Sequence, residues 1–265
     1  MSSVLSRVAV AAAGLPIVLF SAYYGGWFLV AVAVVAALLA LHELYRMGRS
    51  LRPLVLAGYG AAVAAILGAE LGGPVWMVGG FLLVLPLAFF FAAVAETRQS
   101  TTVAVGTTLL GAGWIGLGVA CIVLIRDLPD GRLALITVLI TVFVADTFAY
   151  VGGRIAGRHR MSPVMSPGKT WEGFVVGAVA GVLTTWIALY EEDLFTDTWR
   201  TFLFGGIIVL AAVIGDLFES LVKRDLGAKD SGQVLLGHGG VLDRVDSLLF
   251  AIPAAYFALL AFGRV

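Results

Sequence analysis

Ionisable residues crowd into two stretches of this chain, and their types suit the handling of phosphates and hard cations. The denser stretch, Lys223–Asp246, reads KRDLGAKDSGQVLLGHGGVLDRVD. Just upstream, in GDLFESLVKRD (215–225), Asp216, Glu219, Ser220 and Lys223 fall at i, i+3, i+4 and i+7, so a helix would carry them on one face. Asp243 and Asp246 follow, three residues apart. With Asp216 they offer three carboxylates, the hard oxygen ligands that Mg²⁺ takes together with phosphate oxygens. Carboxylates in that spacing could equally cap a helix N-terminus. Lys223, Arg224, Lys229 and Arg244 interleave cations suited to several phosphates. Asp230 adds an acid beside Lys229. Gly239 and Gly240 let the backbone approach a ligand closely or present N–H groups to an anion. His238 beside them could orient a phosphate or a base, or stabilise the turn.

The second stretch is ADTFAYVGGRIAGRHRMSPVMSPGKTWEG (145–173). Asp146 sits within an apolar run, where an ionisable residue is costly and points to a site. Gly168-Lys169-Thr170 resembles the tail of a phosphate-binding P-loop, but Pro163 stands where that loop needs glycine and no strand precedes it. Ser166 and Lys169 remain candidates for phosphate contact, although an ordinary basic loop has the same composition. Three other features carry no chemistry in this reading. GAGWIG (111–116) lies in an apolar run and reads as helix packing. His42-Glu43 has no second histidine at i+4 and reads as an interfacial anchor, and His159 reads as a loop residue.

The elements that must position these residues are membrane helices. The chain has 265 residues, of which 60% are hydrophobic and 13% charged, and its mean hydropathy is +1.01. Runs of about 18 or more apolar residues recur, each long enough to cross a hydrocarbon core of about 30 Å. The expected fold is all-α, a polytopic transmembrane helix bundle of about nine spans: 8–24, 27–42, 54–70, 74–95, 102–125, 133–151, 173–190, 200–222 and 247–263. The apolar run after Arg7 leads through Gly25-Gly26 directly into another, so it reads as a first span rather than a cleaved signal. Gly72-Gly73-Pro74 marks a turn.

With the N-terminus cytosolic, thirteen Lys and Arg fall on the inner side and four on the outer, and the acidic run 191–197 lies outside. The polar connections 152–172 and 223–246 then both face the cytosol. The helices divide into an N-terminal set, 1–132 with about five spans, and a C-terminal catalytic region, 133–265. Seventeen basic residues balance seventeen acidic ones, so nothing in the charge calls for nucleic acid, and the single Cys121 can form no disulfide within the chain.

The residues from Ser220 to Asp246 resemble the signature of the phosphatidate cytidylyltransferases, the CDP-diacylglycerol synthases. That signature runs S-x-x-K-R, four residues, K-D, then H-G-G-x-x-D-R-x-D, and each fixed position is matched here over 27 residues. SPGKTWEG (166–173) resembles the family's S-P-x-K-T-x-E-G loop. Asp146 with Gly152-Gly153-Arg154 resembles its upstream segment. Gly168 stands where many members have lysine, and Gly153 precedes Arg154 where an aromatic-Gly-Arg sequence is usual.

The resemblance implies transfer of cytidylyl from CTP to phosphatidic acid, giving CDP-diacylglycerol and pyrophosphate, with Mg²⁺ and a monovalent cation such as K⁺. It also implies a homodimer in the cell (inner) membrane, with CTP entering from the cytosol and the lipid from the bilayer. Asp216, Asp243 and Asp246 become the expected metal ligands. Lys223, Arg224, Lys229, Arg244, Lys169, Ser166, Ser220, Asp230, His238, Gly239 and Gly240 become the expected substrate contacts. The alternatives are a related CTP-dependent lipid kinase and, from another class, an ion-coupled transporter using Asp146 and Asp216.

Overall fold

The computed structural model describes residues 14, 16–94, 100–163, 165–192, 194–232 and 239–263. Residues 16–24 form α1. It is followed by α2 (Gly26–Met47), a short 3₁₀ turn (Arg49–Leu51), α3 (Val55–Leu82), α4 (Val84–Val94) and α5 (Thr101–Gly111). A π-helical turn (Ala112–Leu117) joins α5 to α6 (Gly118–Asp127). Then come α7 (Gly131–Ala156), β1 (Arg160–Ser162), β2 (Ser166–Thr170), α8 (Trp171–Ala188), α9 (Thr198–Asp225), α10 (Leu242–Val245) and α11 (Leu248–Phe262). The fold is all-α and polytopic as expected. The β1–β2 hairpin, antiparallel with Arg160 opposite Thr170, is the one departure among the described residues.

Seven helical stretches among the described residues are long and apolar enough to cross a membrane: 26–47, 55–94, 101–127, 131–156, 171–188, 198–225 and 242–262. Two differences separate this from the expected nine spans. The expected span 8–24 is described only at 14 and 16–24, too short a helix to count as a crossing. The expected spans 54–70 and 74–95 are one 40-residue stretch, 55–94. That stretch nevertheless doubles back. Gly72 and Gly73 leave helical geometry, and Gly73 has φ +69°, which a side chain would oppose. A Cβ on Gly68 would strike the Trp76 carbonyl, and one on Gly80 the Ala64 carbonyl. In an unbroken helix Ala64 and Gly80 would stand about 24 Å apart at 1.5 Å per residue. The sequence turn at Gly72-Gly73-Pro74 therefore makes a helical hairpin, with glycine on both arms so that the backbones meet.

The chain forms two compact units, 1–127 with 226–245, and 128–225 with 246–265. Residues 226–245 group with the helices of the first half of the chain. In the first unit the carbonyls ending α1 would lack helical partners. Arg126 supplies them, with Nε donating to Ala22 O at 3.0 Å and Nη2 to Tyr23 O at 3.1 Å. Tyr45 of α2 donates to Thr108 O at 2.9 Å, and its ring fills the space left by Gly58 and Gly111. Gly111 and Gly116 of the GAGWIG run thus serve close packing, Gly116 against Ala62.

The second unit is organised by small residues on α8. Gly173, Gly177, Gly181 and Thr185 recur every fourth residue and are all buried. Such a stripe lets helix backbones approach closely where apolar burial gives no drive in lipid. A Cβ on Gly173 would lie 2.6 Å from Ala149 O, and one on Gly177 2.6 Å from Ala145 O, both on α7. The stripe ends in a buried hydrogen bond between the Thr141 and Thr185 hydroxyls at 2.8 Å. Gly177→Ala should therefore lower the midpoint of thermal unfolding in detergent, by about 1–3 kcal/mol in stability. Gly206→Ala, where nothing lies within 4 Å of the added Cβ, should leave the midpoint unchanged or raise it.

Candidate active site

Local chemistry of 145–173 sets the first half of the polar cluster in the second unit. Helix α7 carries Asp146 and runs to Ala156, several residues beyond the expected end of its span. The hairpin β1–β2 returns the chain to α8, whose first turn uses the SPGKTWEG motif residue by residue. Thr170 is the N-cap, its hydroxyl accepting from Gly173 N at 3.1 Å. Glu172 accepts from the backbone N–H of Arg158 at 3.0 Å and pairs with His159 Nδ1 at 2.6 Å. Glu172 thereby ties the end of α7 to the start of α8, and His159 acquires a structural partner that its sequence position did not announce. Lys169, at the end of β2, extends to Asp216 on α9, with Nζ to Oδ2 at 2.6 Å.

Helix α9 is continuous from Thr198 to Asp225, so Asp216, Glu219, Ser220 and Lys223 share one face as their spacing requires. Lys223 pairs with the buried Glu219 at 2.5 Å. Gly215 sets the depth at which α9 meets the turn before α11. A Cβ there would lie 2.6 Å from Asp246 O and 3.2 Å from Phe250 Cβ. That close approach puts Asp246 beside Asp216. Asp246 accepts from the backbone N–H of the buried Ser247 at 2.8 Å, while the Ser247 side chain hydrogen-bonds Asp146. Asp146, Asp216 and Asp246 repel one another electrostatically, and Lys169 and Lys223 are the cations that offset them. Ser247, which the sequence reading passed over, is the hinge pin between two of these acids.

Asp243 has a different place. It belongs to the first unit, where its carboxylate accepts from Gly240 N at 2.8 Å and Ser231 N at 3.2 Å. Gly239 has φ +81°, and a Cβ on it would lie 2.7 Å from Asp243 Oδ2, so both backbone and space demand glycine. Of the glycine N–H groups, that of Gly240 is engaged within the protein, as are those of the two residues that follow. Gly240 N–H donates to Asp243, Val241 N–H to Glu43 Oε1 at 3.0 Å, and Leu242 N–H to Glu43 Oε2 at 2.8 Å. Glu43, read from sequence as an interfacial anchor, is instead buried. The missing signal was distance: its partners lie nearly 200 residues along the chain.

Arg224, Lys229, Asp230 and Arg244 are exposed, Ser166 opens β2, and His238 lies outside the described residues. Among the described residues, no three His, Cys, Asp or Glu side chains are grouped as a metal cage. Mg²⁺ does not need one, because it takes one or two carboxylates and completes its shell with phosphate oxygens and water. The neighbouring carboxylates of Asp216 and Asp246 fit that demand in kind.

Comparison with known proteins agrees with the signature. A family model described as the cytidylyltransferase family matches residues 5–262. The chain is 32% identical over 243 residues to the phosphatidate cytidylyltransferase of Staphylococcus haemolyticus, covering 90% of this chain and 91% of that one. It is 34% identical over 245 residues to the phosphatidate cytidylyltransferase of Mycobacterium bovis, covering 87% and 79%.

The Lys169–Asp216 pair is directly testable. Lys169→Ala leaves Asp216 facing two like charges and should destabilise the protein. Adding Asp216→Asn should recover part of the loss, giving a coupling of about 1–2 kcal/mol in a double-mutant cycle of detergent unfolding. Additive single effects would show that the pair carries no energy.

Proposed function

The chain belongs to the cytidylyltransferase family and is a nucleotidyltransferase of a multi-pass membrane protein class, and from that premise we propose that it joins CTP to phosphatidic acid. A phosphate oxygen of phosphatidic acid attacks the α-phosphorus of CTP. The bond from that phosphorus to the oxygen leading to the β-phosphate breaks, and pyrophosphate leaves as CDP-diacylglycerol forms. No covalent nucleophile is required of the protein. The task is to align two anions and offset their charge, which is positioning and electrostatics. The observation that carries this reading is the Lys169–Asp216 ion pair, with Asp146, Asp246 and Lys223 near enough to interact with these acids electrostatically, inside a helical membrane unit.

In this reading Asp216 and Asp246 would hold Mg²⁺, which when bound offsets phosphate charge; K⁺ is the proposed second cation. Lys169 uses one of its three donors on Asp216 and keeps others for a phosphate. Lys223 and Arg224 end α9, and cations there also face the negative end of the helix dipole. Ser220 shares their face, and Ser166 precedes Lys169 on the same strand. Lys229, Arg244 and Asp243 enter on the signature they match, as do Asp230, His238, Gly239 and Gly240. Asp243 is the third proposed metal ligand, on the signature it matches. The charge asymmetry of the connections supports an N-terminus and a reaction site facing the cytosol, in the cell (inner) membrane, and the family resemblance supports a homodimer.

Purified protein in detergent, given phosphatidic acid, radiolabelled CTP and Mg²⁺, should yield a lipid-soluble cytidine product. Asp216→Ala and Asp246→Ala should each lower kcat by on the order of 100-fold or more. An Asp246→Ala enzyme as active as wild type would refute the role given to that carboxylate. A wild type that phosphorylates a lipid alcohol from CTP, and makes no cytidine lipid, would establish the lipid kinase instead.

A further inference from the structure

We propose that Glu43 is a positioning residue for the reaction, acting by holding the backbone of residues 240–242 and, through Ser231, the carboxylate of Asp243. The proposal rests on the cytidylyltransferase reading above, and adds to it a residue from the N-terminal half that no part of the signature contains. Glu43 lies on α2 and is 1% exposed. A buried carboxylate is tolerated only when donors surround it, and here they come from two separate places in the segment 226–245. Val241 N–H donates to Oε1 at 3.0 Å, and Leu242 N–H to Oε2 at 2.8 Å. The hydroxyl of Ser231, itself 3% exposed, donates to Oε2 at 3.2 Å.

Ser231 links the two carboxylates. Its hydroxyl serves Glu43 while its backbone N–H serves Asp243 at 3.2 Å. Two glycines admit the Glu43 side chain. A Cβ on Gly232 would lie 2.7 Å from Glu43 Oε1, and one on Gly240 would strike Glu43 Oε2 and Ser231 Oγ. The Gly240 of the signature is thus small because Glu43 and Ser231 occupy the adjacent space. A simple packing role would need only a residue of the right volume. What the geometry uses is an acceptor at both oxygens, because each oxygen faces a backbone N–H. Glutamine keeps the volume and replaces one acceptor by an NH₂ group aimed at a donor.

The test compares wild type with Glu43→Gln and Ser231→Ala, each purified as a monodisperse species in detergent. Two readouts are taken: steady-state kinetics of cytidine-lipid formation, and amide hydrogen exchange across 239–245. Glu43→Gln is expected to speed exchange at Val241 and Leu242 by at least about tenfold. It is also expected to lower kcat by on the order of 10- to 100-fold while KM for CTP stays within about threefold. Ser231→Ala should change both readouts in the same direction by less. Faster exchange with unchanged kcat would overturn the proposal, and so would unchanged exchange. If Glu43→Gln does not fold, Ser231→Ala decides. If neither folds, Glu43 is a folding determinant and the proposal falls. Failure of the underlying reading looks different: wild type itself would make no cytidine lipid, and both would be rejected together.

Discussion

Bringing three carboxylates together on apolar helices is the constraint on which the rest of this structure depends. Asp146 on α7, Asp216 on α9 and Asp246 before α11 repel one another within the second unit. Such a set is unfavourable in low dielectric unless cations and donors are brought to it. Each neighbouring feature answers that demand. The β-hairpin delivers Lys169, the last turns of α9 deliver Lys223, and Ser247 donates to two of the three acids. The glycine stripe on α8 and Gly215 on α9 then set how closely the backbones approach, and so how closely the acids sit.

The first unit meets the same constraint with backbone rather than lysine. Glu43 and Asp243 draw on the N–H groups of Ser231, Gly240, Val241 and Leu242. A segment rich in glycine and charge would otherwise pay a large entropic penalty for order. Two carboxylates bind it at several points, which explains why residues 226–245 cluster with helices far earlier in the sequence. The chain changes unit between Val245 and Asp246, in the middle of its most recognisable motif. Asp243 and Asp246 stand three residues apart yet answer to different surroundings: one is held by backbone N–H groups, the other by Ser247 and the approach of Gly215.

Much of this was legible beforehand because its signals are local. The helices on which Asp146 and Asp216 lie follow from run length and hydropathy, and the shared face of Asp216, Ser220 and Lys223 follows from helical period. The turn at Gly72-Gly73-Pro74 was also visible, since it depends on residue types alone. The small sheet was not. Its strands are three and five residues long and carry no alternating apolar pattern, so nothing in the composition separates them from a loop. The roles of Glu172 and Ser247 were equally hidden, because a polar residue at a helix start has many possible partners and only one is realised.

By itself the sequence determined that the chain is a helical membrane protein, that its chemistry concentrates in 145–173 and 215–246, and which family it resembles. Those properties depend on residue type, run length and spacing, which survive without coordinates. Tertiary structure alone decided which acid meets which cation, and that Lys169 answers Asp216 across 46 intervening residues. It alone showed that the N–H groups beside Gly239-Gly240 are taken by Glu43 and Asp243. The reason is physical. A hydrogen bond or ion pair is set by distances of a few ångströms, and two residues nearly 200 positions apart acquire such a distance only when the whole chain has packed.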